Sequence, residues 1–157
     1  MIIAPEDTAV TLSPRLAELG AELLAETLER LEQGTVKPVP QDDSLATLAP
    51  ILKKEDGLVN FTRTATEIQN RLRGFQPWPG AYTHFRGKNL KILAAQVAQA
   101  SRQIAPAELQ VNGDTLLAGC GSGTALQLLQ IQPEGKKAMS ARDFVSGYRP
   151  QQGERLG

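Results

Sequence analysis

Two side chains among the 157 residues carry the intrinsic chemistry of a neutral-pH base or nucleophile, His84 and Cys120. A histidine works as a general base when a neighbour orients its ring. His84 lies in Ala81-Tyr-Thr-His-Phe85, which alternates like a strand, and no Asn or Asp stands beside it. That placement favours a surface or strand-packing role. A catalytic thiol needs an activating partner. Cys120 sits inside Gly119-Cys-Gly-Ser-Gly123 with no histidine near it, so it reads as a small turn residue. One His and one Cys cannot supply the four N or S ligands of an ordinary zinc site. The sequence assembles no active site.

The run Asp114-Thr-Leu-Leu-Ala-Gly-Cys-Gly-Ser-Gly-Thr124 looks like the glycine loop of an S-adenosylmethionine-dependent methyltransferase. Such a loop lets backbone approach a ligand closely, but it means little without its context. A nucleotide-type fold needs further βα units after it. Here the residues that follow alternate like a strand and then reach Pro133 and Gly135. The run therefore reads as a turn between two strands, where glycine supplies positive φ.

The basic residues offer a different chemistry. Lys53, Lys54, Arg71, Arg73, Lys88, Lys136 and Lys137 come from four segments that a small barrel can gather on one side. Clustered cations bind phosphates through counterion release, with strong salt dependence. No aromatic row interleaves them, which suits a base-paired RNA stem better than single-stranded bases. Net charge is zero, yet residues 1–50 hold nine Asp/Glu against three Lys/Arg, a balance of −6, and residues 51–157 carry +6. All seven aromatic residues lie between Phe61 and Tyr148. The second part has the charge sign of a nucleic-acid binder.

These residues need elements to hold them. Ser13-Pro14 predicts a helix start, with Leu16, Leu19, Leu23, Leu24, Leu28 and Leu31 on one face and Gly34 beyond its end. A buried leucine is worth about 1.5–3 kcal/mol, so this stripe is expected to dock on a barrel, pair with a second copy or fray. Thr35–Ser44, with two prolines and clustered acids, reads as a linker. Thr62 can cap a second helix whose buried face is Ala65, Ile68, Leu72 and Phe75. Pro77 and Pro79 around Trp78, then Gly80, make a rigid corner after it. Two hairpins follow, turning at Arg86-Gly-Lys-Asn89 and at Asn112-Gly113, then a fifth strand from Ala125 to Ile131 with a bulge at Leu128-Leu129. Ser140 caps a short last helix, and the polar tail from Tyr148 is expected to be loose. The fold class is α+β: five short strands in a small, closed or partly open barrel of the oligonucleotide-binding type, with flanking helices. No run approaches the ~20 apolar residues of a membrane span. The acidic start and the single cysteine point to a cytoplasmic protein without a signal peptide.

Two stretches are less generic: Arg73-Gly-Phe-Gln-Pro-Trp-Pro-Gly-Ala-Tyr-Thr83 and Gln132-Pro-Glu-Gly-Lys-Lys-Ala-Met-Ser-Ala-Arg-Asp-Phe144. Together they resemble the C-terminal half of the methionyl-tRNA formyltransferase family. The Trp78 corner is similar in other folate-dependent formyltransferases, and Lys136-Lys-Ala-Met-Ser140 favours the tRNA enzyme. The resemblance implies three segments. Residues 1–34 would be a strand and an amphipathic helix left over from a truncated Rossmann-like N-terminal domain, 35–44 the linker, and 45–157 an oligonucleotide-binding-like, tRNA-binding domain. It implies formylation of methionine on initiator tRNA with 10-formyltetrahydrofolate as donor. The family's Asn-x-His arrangement has no match, since Tyr82 stands two residues before His84. This chain is therefore expected to bind no cofactor, to catalyse nothing by itself and to bind initiator methionyl-tRNA, with self-association possible through the leucine face of helix 14–33. Leu48 and Pro106-Ala-Glu108 depart from the family's usual aromatic and Pro-Gly turn. A free-standing RNA-binding module of the same fold is the alternative reading, and a methyltransferase the third.

Overall fold

The computed structural model describes all 157 residues as two compact units, Met1–Leu52 and Lys53–Gly157. The second begins at Lys53 rather than at 45, because Ala46–Leu52 forms no element, with Leu48 and Ile51 fully open to solvent.

In the first unit one α-helix, α1, runs Ala9–Glu32, and a 3₁₀ turn follows at Asp43–Leu45. Helix α1 starts before the Ser13-Pro14 signal. Thr8 and Thr11 cap each other reciprocally, and Asp7 pairs with Arg15 at 2.8 Å, which together hold the extra turn. Pro14 thus lies inside the helix and withholds the N–H that would serve the carbonyl four residues earlier. No residue of α1 is buried, and the six leucines of its stripe stay exposed. The strand expected before it is absent: residues 1–8 contain a turn in which Asp7 accepts the Ala4 N–H at 2.7 Å. A strand needs a pairing partner to satisfy its backbone, and this unit contains no second strand.

The second unit is a mixed helix and antiparallel-sheet domain. A 3₁₀ turn at Lys54–Gly57 precedes helix α2, Ala65–Gly74. Thr64, not Thr62, caps α2, because Glu67 three residues on completes a reciprocal box; Thr62 instead donates to Asn60 in the preceding turn. Ala65, Ile68 and Leu72 are buried as their spacing requires, whereas Phe75, expected on the same face, is only half-buried beyond the helix end. The strands are β1 Tyr82–Phe85, β2 Lys88–Ala98, β3 Leu109–Asn112, β4 Thr115–Gly119, β5 Ala125–Pro133 and β6 Met139–Ser140. Helix α3, Ala141–Tyr148, follows from the Ser140 cap.

The sheet order is β1-β2-β5-β4-β3, with β6 beside the far end of β5. It is an open sheet, not a closed barrel, since β1 and β3 do not pair with each other. Each edge has found another partner. The Val59 N–H donates to the Tyr82 carbonyl at 2.9 Å along β1. Along β3, the Leu109 N–H donates to Glu154 and the Gly153 N–H to Leu109. The tail is therefore not loose. Leu156 is buried, its N–H donates to the Ala107 carbonyl, and the Gly157 N–H reaches the His84 carbonyl of β1 at 2.9 Å. One short segment touches both edges of the sheet.

The expected bulge is present. Ile92 faces Ile131, Ala94 faces Gln130 and Ala95 faces Leu128, so Leu93 and Leu129 each lack an opposite residue. The Leu93 carbonyl, turned out of the ladder, accepts from Gln76 Nε2 at 3.2 Å. That bond ties the Trp78 corner to the sheet. Phe85, Leu90, Ile92, Leu116, Leu128, Ile131 and Phe144 are buried in one core with the apolar side of α2.

Candidate functional site

The seven basic positions fall into two groups and one outlier. Arg86 and Gly87 both have positive φ and form a two-residue turn that sets Lys88 opposite Phe85 at the start of β2. Across β2, Leu90 faces Pro133 and Lys91 faces Gln132. Glu134 then binds Asn89 twice, its N–H donating to the Asn89 carbonyl and its carboxylate accepting the Asn89 N–H at 3.0 Å. Gln132 Nε2 donates to the Lys136 carbonyl at 2.9 Å. These bonds bring Lys88 and Lys136 to one cavity of about 320 Å³, and leave Lys137 exposed beside them.

The second group surrounds the 3₁₀ turn. The Lys53 N–H donates to Asp56 Oδ2 at 2.7 Å, and Arg71 Nη2 donates to the Asp56 carbonyl at 3.0 Å. Arg71 also lies 4.5 Å above the Phe75 ring. Lys54 is exposed on the same turn. The outlier is Arg73, half-buried and donating to Asn70 Oδ1 at 2.8 Å.

A row of partners crosses the sheet on the face opposite to that of Lys88, which stands across from buried Phe85. Leu58, next to the 3₁₀ turn, bridges Tyr82; Tyr82 faces Lys91; Lys91 faces Gln132; and Gln132 bonds Lys136. Three strand spacings make this row about 14 Å long. Residues directly opposite share a face, so Lys91 stands at its middle, exposed. Sequence reading missed Lys91. The period-2 alternation of β2, with Leu90 and Ile92 inward, was the available signal that it faces out.

His84 is one step along β1, its ring edge-on to Tyr82 with centroids 6.1 Å apart, opposite Asn89. Cys120 is buried, and burial pushes its thiol up to about 12, so the thiolate is disfavoured at neutral pH. Arg86 is held charged by Glu154, whose carboxylate it grips at 2.7 and 3.0 Å. Glu154 is in turn pulled below the usual carboxylate range, chiefly by that hydrogen bond.

The glycine run is no ligand cradle. A Cβ at Gly119 would collide with the Ala105 carbonyl oxygen, and one at Gly121 with that of Thr62. The Gly121 N–H is already donated to the Arg63 carbonyl at 2.7 Å, and that of Cys120 to Thr124 at 2.8 Å. The close approach is between two pieces of this chain. Positive φ is confined to Ser122 and Gly123 within the turn.

Taken together, this is an antiparallel-sheet domain whose outward chemistry is cationic, with its glycine loop closed by its own backbone. Family comparison narrows that class: the family described as formyl transferase, C-terminal domain, matches residues 51–149, and the chain belongs to it. The methionyl-tRNA formyltransferase of Koribacter versatilis is 60% identical over 157 residues, covering 100% of this chain and 50% of that protein. The enzyme of the same name from Solibacter usitatus is 49% identical, covering 99% of this chain and 49% of its own length. The chain thus spans about half the length of the curated relatives it matches. Among solved structures, a HypX variant from Aquifex aeolicus superposes with a TM-score of 0.60 at 17% identity, over 98% of this chain and 28% of that one. HypX in complex with tetrahydrofolic acid gives 0.53 at 19%, over 85% and 24%. At such identities the likeness is one of fold.

Proposed function

We propose that this chain is the tRNA-binding, C-terminal part of a cytoplasmic methionyl-tRNA formyltransferase, the enzyme that formylates the methionine of initiator tRNA. The observation that carries the reading is the set of exposed lysines on the sheet domain, Lys53, Lys54, Lys88, Lys91, Lys136 and Lys137, in a chain 60% identical to a protein of that name. On this reading the open sheet is the family's oligonucleotide-binding-like platform, and Lys53, Lys54, Lys88, Lys91, Lys136 and Lys137 grip phosphates of a base-paired stem. Arg71 and Arg73 contribute less directly, since both already serve neighbours. The formyl donor is 10-formyltetrahydrofolate, bound by residues beyond this chain; the HypX complex with tetrahydrofolic acid is in keeping with a folate donor. The leucine stripe of α1 pairs with a second copy when nothing else covers it.

Binding of methionyl initiator and elongator tRNA at two salt concentrations tests the reading. Initiator tRNA is expected to bind, weaken as salt rises and remain unformylated when formyl donor is added. Formyl transfer by the chain alone, or no tRNA binding at low salt, refutes it.

A further inference from the structure

The cavity that Lys88 and Lys136 share has more than a phosphate clamp in it. Its lining is apolar and aromatic: half-buried Tyr148 stacks on Phe144 with centroids 4.6 Å apart and planes 16° from parallel, and Phe144, buried in the core with Phe85, meets it edge-on at 5.1 Å. Phe85 lies more than fifty residues before Phe144 and Tyr148, so no spacing could reveal that it joins them. At about 320 Å³ the space is at the small end of ligand pockets, enough for one ring system and not for a peptide. Three cations stand at the rim. Arg86 is spent on Glu154, but Lys88 and Lys136 are exposed and make no ion pair. Glu134 lines the same cavity and uses only one carboxylate oxygen, on the Asn89 N–H.

We propose that this cavity takes one unpaired nucleotide of the RNA partner, base inward and phosphate between Lys88 and Lys136. The proposal rests on the RNA-binding reading above and deepens it. A flat base suits the partly exposed Tyr148 ring, because every base has a stacking face. A phosphate suits two unspent ammonium groups at the mouth. The free carboxylate oxygen of Glu134 accepts a hydrogen bond, and acidic side chains accept from the cytosine amino group. Uracil presents a carbonyl oxygen at that position, which a carboxylate repels. The pocket therefore prefers cytosine to uracil, two bases of equal size carrying equal charge on their nucleotides.

The test follows amide shifts of the full chain titrated with CMP, UMP, cytidine and inorganic phosphate, beside tRNA binding at two salt concentrations. CMP is expected to move the amides of Arg86–Leu90, Glu134–Lys136 and Tyr148, and to bind at least about fivefold tighter than UMP. Glu134→Gln should bring CMP and UMP level, since an amide can serve either base. Lys88→Ala with Lys136→Ala should weaken CMP about tenfold and leave cytidine unchanged; both lysines are exposed, so the fold is not at stake. The proposal is overturned if CMP moves none of these amides. It is also overturned if phosphate alone reproduces the CMP shifts with CMP and UMP bound equally. With tRNA bound and CMP ignored, the pocket fails and the interface stands. With CMP bound in the pocket and tRNA ignored at low salt, the interface fails and a mononucleotide site remains.

Discussion

Ala107 shows how much one backbone angle can matter. It follows Pro106 in a turn closed by the Glu108 N–H on the Ala105 carbonyl at 2.9 Å, and its φ is +66. A left-handed L-residue costs about 1–2 kcal/mol, partly offset by the greater freedom of glycine when unfolded. Ala107→Gly should therefore raise stability by about 1 kcal/mol in denaturant titration. The family resemblance flagged this position, because Pro-Ala stands where that family usually has Pro-Gly. Gly121→Ala should do the reverse, losing roughly 1–3 kcal/mol as its methyl meets the Thr62 carbonyl. A neutral result there would mean the two backbone segments yield. Cys120 should resist alkylation in the native state at neutral pH and react once the chain unfolds, because burial holds the thiol protonated. Its inertness was readable from the missing histidine partner. The reason Gly119 and Gly121 are glycine was not, because it depends on Ala105 and Thr62, which only the folded chain brings near.

Elements were most legible where a local pattern alone decides them. The spacing of Ala65, Ile68 and Leu72, the Ser140 cap and the phase slip at Leu128-Leu129 all correspond to observed features. Sequence reading failed where distant segments compete. The tail looked loose because it is polar, yet edge strands need partners, and Gly153–Gly157 supplies them. Arg86 fastens this tail through Glu154 and also donates to the Tyr148 and Arg149 carbonyls at 3.1 and 3.4 Å. Arg86→Ala should thus loosen both the tail and the end of α3, seen as faster hydrogen exchange at Leu109 and Gly157. The pH dependence follows from Glu154. Its folded-state value lies below the ordinary 4.5, so its contribution is complete above that pH and is lost as pH falls through the lower folded value. Arg86→Ala should flatten this acid limb; an unchanged limb would remove the pair from the tail's support. In α1, Leu23→Lys with Leu28→Lys should abolish any concentration-dependent sedimentation of the chain while leaving its helicity intact.

At the scale of the molecule, charge follows the two units, with the basic excess in the part that carries the sheet. Composition made that split visible, and the Trp78 and Lys136 stretches made the family visible. Neither could show that Lys53, Lys54 and Arg71 group apart from Lys88 and Lys136, because strand register is set by pairing. That the exposed lysines of the sheet domain grip phosphate is the central claim. Each phosphate contact adds about one unit to the salt slope of binding. The most direct test is that slope for initiator tRNA, measured for the unaltered chain and for Lys91→Ala combined with Lys136→Ala. A loss of affinity with a slope lower by about one to two units is the expected result. The same slope and affinity in both proteins would contradict an interface built on these lysines.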